Sequence, residues 1–129
     1  MPHCAKSVTL ASLFAALADA TRLRLLNLMA GREVCVCYFV EILGQSQPKI
    51  SRHLAYLRRA GIVAARREGK WMHYSICPFA DPAAGSILAA VLAALGNERQ
   101  MNADLARLDR ASRGSRNEVL HQIEKGKTA

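Results

Sequence analysis

At Gly61 the spacing of the apolar residues changes from helical to alternating, and the patterns on its two sides leave the fold little freedom. Before it, Ile50, Leu54 and Leu57 recur at i, i+4 and i+7, one stripe of a helix. Ser46 is placed to cap that helix, Pro48 falls inside the first turn where a missing N–H costs nothing, and Ala60-Gly61 ends it. After it, residues 62–67 and 71–76 read as strands around Glu68-Gly69-Lys70, a hairpin signature. Met72, Tyr74 and Ile76 share one face of the second strand, and Trp71, His73 and Ser75 share the other. Upstream, the pattern from Val34 to Leu43 predicts a helix of about two and a half turns that stops at Gly44. Two helices joined by Gly44-Gln45-Ser46, with a hairpin directly behind them, predict a helix-turn-helix followed by a wing.

The rest of the chain is helical in pattern. Leu10, Leu13, Phe14 and Leu17 predict a first helix from Thr9 to near Asp19, and Asp19 can cap a second, from Ala20 to about Gly31. That second helix is apolar on too wide a surface to face solvent, so it belongs in the core. Beyond Pro82, Ile87, Leu88, Val91, Leu92 and Leu95 form an Ala-rich stripe whose small residues allow close helix approach. From Gly96 polar residues dominate, and Arg113-Gly114-Ser115-Arg116-Asn117 reads as a break. The expected organisation of the 129 residues is a flexible segment over 1–8, a single mainly α domain with a small β-hairpin over 9–101, and a polar extension over 102–129. The extension is expected to be partly disordered, with a frayed helix and a disordered end after about Gly126. No apolar run approaches the roughly 20 residues that cross a bilayer, and residues 1–6 lack a signal-peptide pattern, so a cytoplasmic protein is expected.

Charge points to the partner. Lys and Arg number 18 against 10 Asp and Glu, a formal +8, a balance that favours polyanions and is shared by ribosomal and membrane-surface proteins. Its distribution is the sharper signal: between Gln45 and Lys70 stand seven basic residues and one acidic residue, Glu68. Ser46, Gln47 and Ser51, near the start of the second helix of the helix-turn-helix, are placed to meet base edges in a major groove of double-stranded DNA. Lys49, Arg52 and His53 reach bases or phosphates, and Arg66, Arg67 and Lys70 at the hairpin suit phosphate or the adjacent minor groove. No phosphate loop, nucleophile elbow or carboxylate pair is recognisable, so an enzyme is not expected. Cys4, Cys35, Cys37 and Cys77, in so helical a chain, do not resemble a disulfide framework and read as buried thiols or ligands.

The stretches S-Q-P-K-I-S-R-H-L-A-Y-L-R-R-A-G-I-V (Ser46 to Val63), E-G-K-W-M-H-Y-S-I (Glu68 to Ile76) and L-F-A-A-L-A-D-A-T-R-L-R-L-L (Leu13 to Leu26) together resemble the ArsR/SmtB family, over roughly residues 9–95. The resemblance implies a winged-helix homodimer, paired through its first and last core helices, that represses its own operon until an inducer binds. It also marks Glu33-Val34-Cys35-Val36-Cys37 as the family's thiolate motif, placed before the DNA-reading helix.

Soft thiolates select soft acceptors, and a helix N-terminus lowers a thiol's pKa, so Cys35 and Cys37 are candidate ligands. Residues i and i+2 point about 200° apart on an ideal helix, so holding one ion between them requires a distorted first turn. Binding would then strain the helix that supports the DNA-reading helix. Arsenite, As(III), is the expected inducer, with antimonite a further candidate. Trivalent arsenic is completed by a third sulfur, and Val40 stands where arsenic-responsive relatives often carry a further cysteine. Cadmium- and lead-responsive relatives complete the site with N-terminal cysteines of the other subunit, which singles out Cys4 as the third ligand. A cadmium- or lead-responsive repressor and a thiol redox-sensing repressor are the alternatives. Cys77, beside Pro78, is expected to be a structural buried thiol. The residues from Pro82 to Met101 include no His or Cys, so a family zinc site on that helix is not expected.

Overall fold

The computed structural model describes residue 4 and residues 7–127, with side-chain surroundings up to residue 113. Helix α1 (Leu10–Leu17) opens with a reciprocal cap in which the Ser12 N–H donates to Thr9 Oγ1 at 3.1 Å and the Thr9 N–H to Ser12 Oγ at 3.2 Å. Helix α2 (Ala20–Leu28) starts on Asp19, whose Oδ1 accepts the Arg22 N–H at 3.0 Å, the cap expected from the sequence. Arg22 also reaches back, donating from Nε to the Ala16 carbonyl at 2.8 Å and from Nη2 to that of Ala15 at 3.1 Å. A cation thus sits on the open carbonyls that end α1, where the helix dipole favours it.

The next segment departs from expectation. Val34 and Cys35 form a short strand, β1, and helix α3 begins only at Val36 (Val36–Leu43). Gly44 closes α3 in the left-handed region at φ 65°, donating its N–H to the Val40 carbonyl. Helix α4 (Gln47–Arg59) follows, with Ser46 Oγ accepting the Lys49 N–H and Pro48 in the first turn. Strands β2 (Val63–Glu68) and β3 (Trp71–Ile76) pair antiparallel from Val63↔Ile76 to Glu68↔Trp71, leaving Gly69 and Lys70 as the turn. Gly69 takes φ 61°, which the tight turn demands and other residues resist. The hairpin gains a third strand, in the order β1-β3-β2, because β1 pairs with the free edge of β3 at Val34↔Tyr74 and Cys35↔His73. Helix α5 (Pro82–Leu95) starts on Asp81, whose Oδ1 accepts the Ala83 N–H.

Helix α6 runs from Arg99 to Lys127, through the expected break at 113–117 and across the expected domain boundary after residue 101. One glycine inside a helix costs about 1 kcal/mol, too little to stop an established helix. The expected disorder beyond Gly126 falls, for residues 128–129, outside the described residues, as do 1–3, 5 and 6 of the segment expected to be flexible. The start of α6 is core. Met101, Asp104 and Leu108 are buried, and Asp104, fully enclosed, accepts Arg24 Nε at 2.8 Å, Arg24 Nη2 at 3.0 Å and Gln100 Nε2 at 2.9 Å. Asn27 Nδ2 donates to the Met101 carbonyl, so α2 and α6 are joined by satisfied polar groups as well as packing.

Around this lies one apolar core: Leu13 of α1, Leu25, Leu26 and Leu28 of α2, Phe39 of α3, and Ile50, Leu54 and Leu57 of α4. Burial of the α4 stripe turns its polar face outward. On the outer side of the molecule Leu10 and Phe14 of α1, four apart and 46% and 56% exposed, stand uncovered, as do Ala89, Ala90, Ala93 and Ala94 of α5. No helix among the described residues is long and apolar enough to cross a membrane.

Candidate nucleic-acid interface and thiol site

The outer face of α4 presents Gln47, Lys49, Ser51 and Arg52, all exposed, together with Ser46 at its start. Gln47 and Ser51, four apart, share one flank. Lys49, Arg52, Tyr56 and Arg59 share the other, where with Arg22 and His53 they line a cavity of about 420 Å³. Arg22 lies over the Tyr56 ring, 4.1 Å from its centre. Arg22, Tyr56 and Arg59 are absent from the residues expected to meet DNA, since nothing local in the sequence brings Arg22 to α4. His53 is less open than expected: half-buried, its Nδ1 lies 3.9 Å from Asp19 Oδ1, which leans it on the start of α2. Burial by itself would raise the Asp19 carboxyl, but the Arg22 amide, the Arg22 charge and His53 together bring it below the usual range.

In the wing, Arg67 and Lys70 are exposed. Arg67 Nε donates to the Gly69 carbonyl at 3.0 Å, and Lys70 Nζ lies 5.5 Å from the centre of the exposed Trp71 ring. Arg66, expected to grip phosphate, is differently occupied. Its guanidinium donates to Glu33 at 2.6 and 3.1 Å and to Glu68 at 3.2 Å, so its charge is largely answered within the chain. His73 joins the cluster, with Nε2 3.6 Å from Glu68 and Nδ1 4.0 Å from Glu33. Glu33 is brought there by the pairing of β1 with β3, an interaction absent from the sequence reading.

Cys35 and Cys37 meet with their sulfurs 3.1 Å apart. The distorted helical turn that the sequence reading requires is unnecessary, because Cys35 is an extended residue at the strand-to-helix junction (φ −71°, ψ 142°) and only Cys37 lies in α3. Both side chains therefore fall on one side of the junction, Cys35 buried and Cys37 exposed. The expectation of a lowered thiol pKa also fails for Cys37. Desolvation, reinforced by the adjoining Cys35 sulfur, pushes it up to about 11.

Cys4 does not join this pair. Its sulfur is bonded to that of Cys77 in the same chain, contrary to the reading of free cysteines and of Cys4 as a ligand poised at Cys35 and Cys37. The reason is where the described residues before α1 lie: Cys4, Ser7 and Val8 line one cavity with Pro78 and Phe79, which directly follow Cys77. Cys35 is paired with His73, so Cys77, four residues on, stands about 13 Å away along the strand direction. Among the described residues, no group of three His, Cys, Asp or Glu side chains is arranged to hold a metal ion. The donor set of Cys35 and Cys37 fits two positions of a thiophilic centre and leaves the others to be supplied.

Residues 19–65, from the α2 cap into β2, match the family described as "Bacterial regulatory protein, arsR family". Over 77 residues the chain is 48% identical to the arsenical resistance operon repressor of Escherichia coli (strain K12), a match covering 59% of this chain and 66% of that one. It is 41% identical over 107 residues to the arsenic resistance transcriptional regulator ArsR1 of Pseudomonas putida, with 82% of each chain covered. Among solved structures, HlyU from Vibrio cholerae matches with a TM-score of 0.56 and 28% identity, over 63% of this chain and 85% of that one. The winged helix-turn-helix is thus shared with regulators of transcription, which are not enzymes.

Proposed function

This chain belongs to the arsR family of bacterial transcriptional repressors, and from that premise we propose that it binds operator DNA as a homodimer and releases it when trivalent arsenic, or antimony, is held by its cysteine thiolates. The observation that carries the metalloid reading is the contact of the Cys35 and Cys37 sulfurs at 3.1 Å, with Cys37 open to solvent. Two adjoining thiols at an accessible junction suit a small, soft centre. A third sulfur is Cys4, supplied across the dimer when it is not bonded to Cys77. The uncovered apolar residues of α1 and the alanines of α5 support pairing through those helices, as the family resemblance implies. The reading places the protein with its DNA in the cytoplasm.

DNA is met by α4 in a major groove and by the hairpin tip on the backbone, with Ser46, Gln47 and Ser51 toward bases and Lys49, Arg52, Arg67 and Lys70 toward phosphate. His53 and Arg66 act through neighbours: His53 leans on the α2 cap, and Arg66 is tied to the thiol segment through Glu33. Release needs the inducer to bind the DNA-free shape more tightly than the DNA-bound one, with couplings of about 1–3 kcal/mol typical. The junction holding Cys35 lies between β1, which is paired to the wing, and α3, which packs on α4, so a ligand there contacts both DNA-reading elements at one remove.

The test uses operator DNA selected by the protein from a random pool and follows release by fluorescence anisotropy against arsenite, antimonite, cadmium and lead. Arsenite and antimonite are expected to release the wild type, while Cys35→Ser and Cys37→Ser bind the same DNA and fail to respond. Release by cadmium or lead but not arsenite would overturn the metalloid assignment. Loss of DNA binding in the uninduced serine variants would make the thiols structural.

A further inference from the structure

Cys4 and Cys77 stand 73 residues apart in sequence, and the fold brings their Cα atoms to 5.9 Å, inside the span that a disulfide bridges without backbone movement. Their surroundings differ. Cys77 is 5% exposed and fixed, since its N–H donates to the Ile62 carbonyl at 2.8 Å and Ile62 in turn donates to Leu57 in α4. Cys4 is exposed, at the rim of a cavity of about 210 Å³ lined also by Val8, Gly61, Pro78 and Phe79. One sulfur is therefore anchored at the junction of α4 and the wing, while the other is open to small oxidants and reductants.

We propose that Cys4 and Cys77 are an oxidant-responsive thiol pair, separate from Cys35 and Cys37, whose closure fastens the N-terminal segment to the end of the wing and withdraws Cys4 from the metalloid site. A hydroperoxide closes it. The exposed Cys4 thiolate attacks the peroxide oxygen, the O–O bond breaks, and Cys4 becomes a sulfenic acid as water or an alcohol leaves. The Cys77 thiol then attacks that sulfur, the S–S bond forms and a water departs, so two thiols are oxidised and one peroxide is reduced. A dithiol reductant reverses this by two exchange steps, starting at the accessible sulfur. The effect on metalloid sensing rests on the assignment of Cys4 as third ligand; the thiol pair itself does not.

Tryptic cleavage separates the relevant cysteines: Cys4 falls in peptide 1–6, Cys35 and Cys37 in 33–49, and Cys77 in 71–99. The full chain is reduced, freed of reductant, titrated with hydrogen peroxide, blocked with N-ethylmaleimide and mapped without reduction. The expected result is a cross-linked 1–6/71–99 pair within one chain that accumulates while 33–49 stays doubly alkylated. It should reopen in the native protein with dithiothreitol and be absent in Cys4→Ser and Cys77→Ser. Earlier oxidation within 33–49, a link formed only between chains, or a bond that resists dithiothreitol until the protein unfolds would each overturn the pair. X-ray absorption with arsenite then reads the second half: the number of sulfurs on arsenic should fall by one on oxidation of the wild type, to the number that Cys4→Ser shows both before and after oxidation. Two sulfurs in the reduced wild type would overturn both the withdrawal and the Cys4 ligand assignment, while the peptide map still decides the thiol pair.

Discussion

Glu33, two residues before Cys35, holds the Arg66 guanidinium with hydrogen bonds of 2.6 and 3.1 Å, so the thiol segment and the wing form one electrostatic unit. The hydrogen bonds from Arg66 are the main reason that the Glu33 carboxyl lies below its usual range, outweighing its partial desolvation. For DNA binding this separates two neighbouring arginines. Arg67→Ala should lower the slope of log affinity against log salt by about one, the value of one phosphate contact. Arg66→Ala should lower it by clearly less, and Glu33→Gln, which frees Arg66, should strengthen binding at low salt. Anisotropy titrations across a salt series check this, and equal slopes for Arg66→Ala and Arg67→Ala would contradict it.

Base reading is expected on the other flank of α4. Gln47→Ala and Ser51→Ala should each cost about 1–3 kcal/mol on the preferred operator and almost nothing on unrelated DNA, since a lost base contact removes discrimination rather than attraction. Competition between a selected and a scrambled duplex measures the ratio. A uniform loss on both duplexes would move these residues to the phosphate-contacting set.

Asp104 should behave as a structural anchor. It is fully enclosed and shared by Arg24 and Gln100, so Asp104→Ala strands a guanidinium and is expected to cost about 3 kcal/mol in urea unfolding at neutral pH. The double variant Arg24→Met with Asp104→Leu should recover most of that loss, because apolar groups of similar volume need no partner. A chain ending at residue 101 loses both Asp104 and Leu108 and should not fold cooperatively.

The α2 cap carries a pH signature. Asp19 has a folded pKa below its ordinary 3.8, so its stabilisation is fully present above that value and disappears as pH falls through the folded one. Asp19→Ala should cost about 1 kcal/mol at pH 7. Asp19→Asn keeps a capping oxygen without a titrating charge, so it should retain most of the cap and show a shallower loss of stability below pH 4. Thermal unfolding over that range distinguishes the two, and identical acid profiles for wild type and Asn would contradict the assignment.

What the sequence determined by itself was whatever depends on residues within a turn or two of one another. Asp19 and Ser46 mark helix starts because their side-chain oxygens satisfy an amide three residues on, Pro48 because its missing N–H falls in the first turn, Gly44 because the left-handed residue that ends α3 favours glycine, and Gly69 marks the hairpin because its turn closes over two residues. The apolar stripe Ile50, Leu54, Leu57 likewise announced which face of α4 would be buried and which basic face would remain. Partners chosen across the chain left no such mark. Only the tertiary structure decided that Cys35 is a strand residue opposite His73 and so meets Cys37 without distortion, that Arg66 is taken by Glu33, and that Cys4 reaches Cys77. It also made the start of the polar C-terminal helix part of the core, because the carboxylate of Asp104 is stable there only where packing delivers Arg24 to it. Period and capping are local properties of a chain, whereas an edge strand, an ion pair or a thiol pair is selected by register and packing between segments far apart in sequence, and each forms only once the core has set those segments side by side.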